Sequence, residues 1–260
     1  QTPLVGDYVE FKADNENEGY VLKILERKNH LVRPPVANVD CAIVVTACIE
    51  PDFSSNLLDR QLVMLSENEI VPILYFSKAD LMDETTKERM LPVFDYYSKY
   101  YRTVVSEKNM PDEELVSALL EEAGNVLVVM GQTGAGKSTL LNRLDPKLKL
   151  ETGEISKALS RGRHTTRKVS LMDVKGHLVA DTPGFSSFEL REIEKERLSS
   201  LFEDFNEYSP QCRFRGCLHL NEPDCAVKAA VLEGKILESR YENYKLFQKM
   251  IQEQKPRYKR

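Results

Sequence analysis

The chain has 260 residues, of which 42% are hydrophobic and 30% charged, a composition typical of a globular protein with one large domain or about two to three small ones. No apolar run approaches the roughly 18 residues that cross a bilayer, so we expect no membrane association. The five cysteines are an odd number, and Cys41 and Cys48 lie in a hydrophobic run. Both facts argue against a secreted disulfide scaffold and favour a cytoplasmic protein.

The formal net charge of −5 argues weakly against a nucleic acid partner, but the charges are unevenly distributed. Basic residues concentrate in RGRHTTRK at 161–168 and in the tail QKPRYKR, while acidic residues crowd into predicted helices. Local basic patches matter more for phosphate contact than the total charge. Either patch is explained equally simply as solvated surface, and for the tail alone we favour that explanation.

The first 33 residues predict two β-strands, LVGDYVEFK and GYVLKILERK, separated by the polar turn ADNENEG. Two strands alone do not form a stable unit, so we expect them to end a small β domain whose first strands are missing from this chain. RPP at 33–35 predicts a stiff linker.

From Asp40 the sequence alternates between predicted strands and predicted helices, as in an open and mostly parallel α/β sheet. The six strands are DCAIVVTACI, IVPILYF, YRTVVS, NVLVVM, KVSLMDV and HLVAD, the last two forming a hairpin. The intervening helices are SSNLLDRQLVMLSE after Ser54 or Ser55 as N-cap, ETTKERMLPVFDYYSKY with a break or start at Pro92, and PDEELVSALLEEAG with Pro111 near its first turn. Beyond Asp181 the predicted helices are REIEKERLSSLFEDF, AVKAAVLEGKI and SRYENYKLFQKMIQEQ, with a Cys- and His-rich loop after the first.

The segment GQTGAGKST directly follows the predicted strand NVLVVM and matches the phosphate-loop pattern G-x-x-x-x-G-K-[ST] at every fixed position. Its glycines allow a sharp turn that points backbone N–H groups at β-phosphate oxygens. Lys137 is predicted to reach the β- and γ-phosphates, and Ser138 to bind Mg²⁺. The predicted nucleotide-binding residues are Gly131, Gln132, Thr133, Gly134, Ala135, Gly136, Lys137, Ser138 and Thr139.

The tetrapeptide SKAD, at 77–80, follows the strand IVPILYF and resembles the guanine-reading Asn-Lys-x-Asp of GTPases. Asp80 would accept from guanine N1–H and the 2-amino group, while the Lys78 stem would pack on the base. Ser77 is shorter than Asn and should brace the loop less. Taken alone, SKAD is better explained as a helix cap, but its position at a strand end favours nucleotide binding. Ser77, Lys78, Ala79, Asp80 and Ser106 of VVSEK complete the predicted base site.

The segment DTPG, at 181–184, follows HLVAD. It predicts that Asp181 supports Mg²⁺ and that the Gly184 N–H meets the γ-phosphate, although D-x-P-G is also a common turn. The motif order is SKAD, VVSEK, phosphate loop, RHTT, DTPG. This order results when the usual GTPase chain is joined end to end and cut after its Asp-x-x-Gly. Such a permutation is tolerated because domain termini usually lie close together.

Three cysteines and one histidine are spaced as C-x4-C-x-H-x5-C: Cys212, Cys217, His219 and Cys225. Three thiolates and an imidazole suit a closed structural Zn²⁺ site. The alternative, a disulfide plus a free cysteine, is disfavoured in a cytosolic chain.

Nearly the whole chain resembles the circularly permuted bacterial GTPases of small ribosomal subunit biogenesis, the RsgA family. The resemblance rests on PLVGDYVEF, RPPVANVD, EPDFSSNLLDR, SKAD, GQTGAGKSTL, GRHTTR, DTPGF and the Cys/His cluster. It implies part of an OB-like β-barrel at 1–35, a circularly permuted α/β P-loop GTPase domain at 36–190 and a helical zinc-binding domain at 191–260. It also implies GTP/GDP, Mg²⁺ and Zn²⁺ as ligands, with slow GTP hydrolysis stimulated by the small (30S) ribosomal subunit and contacts to 16S rRNA. We expect a monomer. Two residues depart from the family pattern: Ser77, where Asn is usual, and Glu107, where Ala is common.

Phe185 stands after Gly184, where Ras-like enzymes carry the glutamine that orients the attacking water. Intrinsic hydrolysis should therefore be slow or use another group. His164, a surface residue by default, becomes the catalytic candidate through the resemblance, since a neutral imidazole can orient water. Thr165 or Thr166 would cover Mg²⁺ and the γ-phosphate, and the sequence does not choose between them.

Two other functions remain open at this stage. One is a P-loop ATPase in which SKAD only caps a helix. The other is a non-enzymatic RNA-binding assembly scaffold with a vestigial nucleotide site, which the intact Lys137, Ser138 and Asp181 argue against.

Overall fold

The computed structural model describes residues 2–13, 15, 18–32, 34–150, 171–180, 190 and 193–253. Its centre is a six-stranded sheet in the order β7-β6-β5-β8-β10-β9, in which only β9 runs antiparallel to its neighbour. These strands are β5 (Cys41–Ala47), β6 (Val71–Ser77), β7 (Arg102–Val105), β8 (Val126–Met130), β9 (Leu171–Val174) and β10 (His177–Ala180). All six predicted strands are confirmed, as is the mostly parallel arrangement.

Four helices cover the two faces of the sheet: α1 (Ser55–Glu67), α2 (Glu84–Tyr97), α3 (Asp112–Leu120) and α4 (Lys137–Leu144). Successive residues of a strand point to opposite faces, and in β5 Ala42 and Val44 pack with α1 and α2 while Ile43 and Val45 pack with α3 and α4. Because both faces of β5 are buried, it reads as a continuous apolar run.

Helix α2 continues through Pro92, so the predicted break is wrong. The missing N–H of Pro92 would have bonded the carbonyl of Glu88, and both residues are exposed, so water can satisfy that carbonyl. The Ser54 hydroxyl accepts from Leu57 N and caps α1, as one of the two predicted alternatives.

The N-terminal segment forms two antiparallel hairpins, β1 (Val9–Ala13) with β2 (Gly19–Ile24) and β3 (His30–Val32) with β4 (Pro35–Ala37). The first confirms the predicted strand pair. The second replaces the linker predicted at 33–35, because Leu31 and Val36 are buried against the central core.

The C-terminal segment contains α5 (Ala226–Leu232), α6 (Glu238–Gln252) and three short 3₁₀ turns (Leu198–Leu201, Glu203–Glu207 and Ser209–Gln211). The sequence REIEKERLSSLFEDF predicts one long helix. Within the described residues of that segment, the structure has these short turns in its place. Phe202 has an extended backbone between the first two turns, which lets the buried Asp204 and Phe205 both face inward.

A third hydrophobic core, built on Phe202, Phe205, Tyr244 and Phe247, joins this segment to the side of α1 that faces away from the sheet, through Val63. Helix α1 is therefore buried on two sides. None of the described helices is long and apolar enough to span a bilayer.

Leu58 lies in α1 with 0% of its surface exposed, packed in the core between α1 and the sheet. We expect Leu58→Ala to lower the free energy of unfolding by about 2–5 kcal/mol, since it removes buried methyl groups and leaves a cavity. Leu232→Ala is the matched control, because Leu232 is 90% exposed in α5 and should change stability by at most about 0.5 kcal/mol. Urea unfolding followed by far-UV circular dichroism measures both, and equal effects would contradict the burial pattern.

Candidate functional site

The phosphate-loop segment lies at the carboxyl edge of the sheet, between the end of β8 and the first turn of α4. Gly131, Gly134 and Gly136 have φ values of 148°, 83° and 95°, a region that side chains rarely adopt. Lys137 begins α4, and its Nζ donates to the carbonyls of Gly131 and Gln132 at 2.7 and 2.9 Å. The loop thus wraps around the lysine ammonium, and its curvature depends on the glycines.

A close approach between the backbone at Gly131 and strand β5 also requires glycine at this position. A Cβ at this position would lie 2.2 Å from the carbonyl oxygen of Val45 in β5. Real Cβ contacts are never so short, so the phosphate loop can leave β8 at this point only because residue 131 is glycine.

The SKAD segment follows β6 at the same edge. Lys78 adopts a left-handed conformation with φ 59°, and Ala79–Leu81 form a short 3₁₀ turn. Asp80 is exposed, and the Lys78 ammonium donates to the carbonyl of Glu50. The left-handed residue makes a sharp turn and brings Asp80 to the start of the 3₁₀ turn.

Two serine hydroxyls brace this segment. Ser77 Oγ, almost fully buried, donates to the carbonyl of Ala135 in the phosphate loop at 2.5 Å. Ser106 Oγ accepts from the backbone N–H of Ala79 at 2.9 Å. A single short hydroxyl therefore ties the SKAD segment directly to the phosphate-loop segment, although the two lie more than 50 residues apart in sequence.

Cys48, next to the SKAD strand end, is a core residue, as predicted. Its N–H donates to the carbonyl of Ser77 at 3.0 Å. Burial raises the pKa of the Cys48 thiol to about 12, and the negative charge of Asp80 adds to this effect. Burial likewise raises the pKa of the Cys41 thiol to about 12. Both thiols are therefore protonated at neutral pH and are poor nucleophiles.

Strand β10 runs parallel to β8 and ends at Ala180, which pairs with Val128. The predicted site residues that follow it, Asp181 and Gly184, lie outside the described residues, as does Phe185. So does the RGRHTTR segment with His164, Thr165 and Thr166.

The predicted Cys/His ligands come together in the C-terminal segment. The donor atoms of Cys212, Cys217, His219 and Cys225 all lie within 4.8 Å of one another. The Sγ atoms of Cys212 and Cys225 are 3.9 Å apart, and His219 Nδ1 is 3.6 and 3.3 Å from them. A tetrahedral Zn²⁺ would set such sulfur–sulfur and sulfur–nitrogen separations to about 3.8 and 3.5 Å, given its bond lengths. The donor set therefore fits a tetrahedral cation.

Neighbouring groups hold the imidazole in place. The Ser209 hydroxyl contacts His219 Nε2 at 3.2 Å, which leaves Nδ1 directed at the sulfurs. The Tyr241 hydroxyl donates to the His219 carbonyl at 2.6 Å. Burial lowers the pKa of His219 and raises that of the Cys217 thiol to about 12. The imidazole is then neutral, as a ligand must be, whereas thiolates in this setting need a bound cation to compensate their charge. In the described part of the chain all five cysteines are free of disulfides.

Sequence reasoning missed two elements of this edge. The segment 50–54, between β5 and α1, touches both nucleotide-site loops: Glu50 accepts from Lys78, and Asp52 and Ser54 line a small cavity with Gln132 and Ala135. The buried Asp59–Arg240–Asp204 cluster joins α1 to the C-terminal segment. Neither has a fixed spacing that a pattern search could detect, because each joins residues far apart in sequence.

A glycine-rich loop between a parallel strand and a helix, beside an SKAD segment that precedes it in sequence, is the arrangement of circularly permuted P-loop nucleotide-binding proteins. Solved structures agree. The protein YloQ, described as a circularly permuted GTPase, matches with a TM-score of 0.81 and 41% identity, over 99% of this chain and 84% of that one. YjeQ from Thermotoga maritima matches with a TM-score of 0.82 and 36% identity, over 98% and 86%.

The chain belongs to the RsgA GTPase family. The family model for RsgA GTPase matches residues 24–191. The small ribosomal subunit biogenesis GTPase RsgA of Limosilactobacillus reuteri is 55% identical over 99% of this chain and 88% of that protein. The protein of the same name from Bacillus cereus is 52% identical, with the same coverage. The resemblance found in the sequence is confirmed, and with it the permuted GTPase fold and the use of guanine nucleotide and Mg²⁺ that the family implies. The ATPase alternative is thereby excluded.

We expect Gly131→Ala to destabilise the protein more than Gly176→Ala. Both glycines have positive φ, so each substitution introduces left-handed strain of about 1–2 kcal/mol. Only Gly131→Ala adds the collision with Val45, since among the described residues nothing lies within 4 Å of a Cβ at Gly176 in the β9–β10 turn. Thermal unfolding of the two variants measures the difference, and equal losses would show that the close approach is not a constraint.

Proposed function

We propose that this protein is a GTPase that binds the small ribosomal subunit and assists its late maturation, hydrolysing GTP to GDP and phosphate in a subunit-stimulated reaction. Family membership supports the reaction, and the names of the relatives supply the partner. The observation that carries the proposal is the Ser77–Ala135 hydrogen bond, which ties the SKAD segment to the phosphate-loop segment and supports their joint use as one nucleotide site.

Within this site we assign roles by position. Asp80 reads the guanine base, the Lys78 stem packs on it, and Ala79 and Ser106 shape the segment. The phosphate loop, from Gly131 to Thr139, surrounds the phosphates with backbone N–H groups, and Lys137 neutralises the β and γ oxygens. When bound, Mg²⁺ neutralises the charge that develops on the transferred phosphoryl group, with Ser138 as its ligand.

The remaining assignments fall on residues outside the described ranges and rest on sequence alone. Asp181 supports the metal site, the Gly184 N–H meets the γ-phosphate, and Thr165 or Thr166 closes over both. Phe185 cannot orient water, so we assign that task to His164, and without a glutamine the unstimulated reaction is slow.

We propose the division 1–35, 36–190 and 191–260, with the β3–β4 hairpin as the junction between the first two parts. The first part belongs to an OB-like barrel. This is supported by the exposed apolar side chains of Phe11 and Val21, which pair across the β1–β2 hairpin on one face that a closed barrel would cover.

The third part binds Zn²⁺ through Cys212, Cys217, His219 and Cys225, and the ion is structural because four protein ligands leave no open position. Its loop from Cys212 to Cys217 carries the exposed Arg213, Phe214 and Arg215. Arginine and an exposed aromatic ring suit contact with phosphates and unpaired bases, which supports 16S rRNA as a direct partner. We propose a cytoplasmic monomer.

Asp80→Asn should weaken GDP binding by about 2–4 kcal/mol, because guanine would lose an acceptor for two donors. The matched control is Asp83→Asn, three residues further on, where the carboxylate caps α2 by accepting from Thr86 N at 2.8 Å. Titration with a fluorescent GDP analogue, in competition with GTP and ATP, measures both variants. The assignment is wrong if the unmodified protein binds ATP as tightly as GTP.

Cys217→Ser should lower the zinc content below one ion per chain and lower the melting temperature, since the loop between Cys212 and Cys225 loses a ligand. Cys48→Ser is the control, because Cys48 is also a buried thiol but lies outside the cluster. Elemental analysis by plasma mass spectrometry gives the metal content. Metal-free native protein, or a disulfide among these cysteines, would refute the zinc assignment.

GTP turnover should rise at least about tenfold when purified small ribosomal subunits are added, and Lys137→Ala should abolish turnover with or without them. Phosphate release under multiple-turnover conditions measures both, with large subunits as the control particle. If turnover is unchanged by small subunits, the proposed partner is wrong. If nucleotide binds but is never hydrolysed, the non-enzymatic scaffold is the better description.

A further inference from the structure

Arg240 in helix α6 is a fully buried cation that binds three parts of the chain at once. Its guanidinium donates from Nη1 to Asp59 of α1 at 2.6 Å. It also donates from Nη2 to Asp204 of the second 3₁₀ turn at 2.7 Å and to the Tyr101 hydroxyl at 3.0 Å. Three segments that are distant in sequence are thus fixed by one planar group, which can satisfy them in only one arrangement.

Hydrogen bonds from a second residue of the same helix hold the start of α1. Asn243 Nδ2 donates to Asp59 Oδ2 at 2.7 Å and to Ser55 Oγ at 3.2 Å. Asn243 Oδ1 accepts from Asn56 Nδ2 at 3.0 Å. Because these contacts are directional and reach Ser55, Asn56 and Asp59 of α1, they fix the rotation of the helix about its axis as well as its position.

The residues immediately before α1 contact both loops of the nucleotide site. The Glu50 carbonyl accepts from the Lys78 ammonium. The Phe53 ring lies 6.1 Å from the ring of Phe76, the residue before Ser77. Pro51 Cδ lies 3.6 Å from where a Cβ of Gly134 would be. The start of α1 is therefore connected by close packing to the SKAD segment and to the phosphate-loop segment.

We infer that Arg240 is a positioning residue for the guanine nucleotide site, acting through α1 and residues 50–53 on Lys78 and the phosphate loop. The inference rests on the proposed assignment of those two loops to nucleotide binding. The competing explanation is that the Asp59–Arg240–Asp204 cluster only stabilises the fold and has no effect on nucleotide binding. However, buried ion pairs often add little stability over a well-packed apolar replacement. We therefore favour the explanation that the Arg240 cluster fixes the orientation of α1 relative to the two loops.

A site held in its binding geometry before the ligand arrives loses less entropy on binding, so loosening α1 should weaken nucleotide binding. Binding of GTP in the ground state and in the transition state of hydrolysis should weaken by the same factor. The affinity for GDP should then fall roughly 3- to 30-fold and the KM for GTP should rise by a similar factor, with kcat nearly unchanged.

The first variant is Asn243→Ala, which cuts the bonds to Ser55, Asn56 and Asp59 of α1 and leaves the Asp59 carboxylate paired with Arg240. Its control is Asn206→Ala, another asparagine of the C-terminal segment, whose amide bonds only the nearby Ser200 carbonyl at 3.1 Å among the contacts described. The second variant combines Arg240→Met, Asp59→Asn and Asp204→Asn, which removes the whole ionic cluster without stranding a charge. Its control is Glu242→Gln with Lys245→Met, an exposed ion pair on the same helix.

Two quantities are measured on the full zinc-loaded chain: binding of a fluorescent GDP analogue and steady-state GTP hydrolysis. The temperature is one at which circular dichroism shows that the variants compared are folded. Arg240→Lys, which keeps the charge but not the planar fork, should bind GDP with an affinity between those of the wild type and the triple variant. A lower melting temperature with unchanged GDP affinity and KM in Asn243→Ala would overturn the inference, whether or not the triple variant folds. If the wild type itself fails to bind GDP, the proposed function fails first.

Discussion

The parallel pairing of β5 with β6 on one side and β8 on the other is the constraint on which the nucleotide site depends. Parallel strands end at the same edge, so the SKAD segment after β6 and the phosphate-loop segment after β8 lie one strand apart across β5. The Ser77–Ala135 bond closes that gap. None of these contacts depends on the order in which the strands occur along the chain, which is why a permuted sequence can build the same site.

The sheet could be predicted from sequence because each strand is a short apolar run between turn signals, and β5 and β8 are buried throughout. The phosphate loop could be predicted because its glycines answer local requirements, as Gly131 does beside Val45. The same reasoning failed at 198–207, where leucines and phenylalanines have helical spacing. There Asp204 forms hydrogen bonds with Arg240 and Tyr96, which are distant in sequence. These tertiary contacts override the local helical spacing, and the backbone is extended at Phe202.

The candidate site shows the same limit. By sequence Ser77 is a weakened substitute for asparagine. In the structure its hydroxyl reaches the phosphate-loop segment because a glycine-rich turn passes close by, and a Cβ at Gly136 would lie 3.8 Å from the Ser77 Oγ. The four residues of the Cys/His cluster could be predicted from their type and spacing and from the family resemblance. What holds His219 in place was not, since Ser209 and Tyr241 contribute through a hydroxyl each and belong to no motif.

Helix α1 has apolar side chains on two sides, with Leu58 and Leu62 against the sheet and Val63 against the C-terminal core. An ordinary outer helix of an α/β protein has one such side and meets water on the other. Removal of the C-terminal segment would uncover a hydrophobic strip of α1 and the Asp59 carboxylate together. The sheet and its first helix are therefore expected to aggregate or unfold when expressed without that segment.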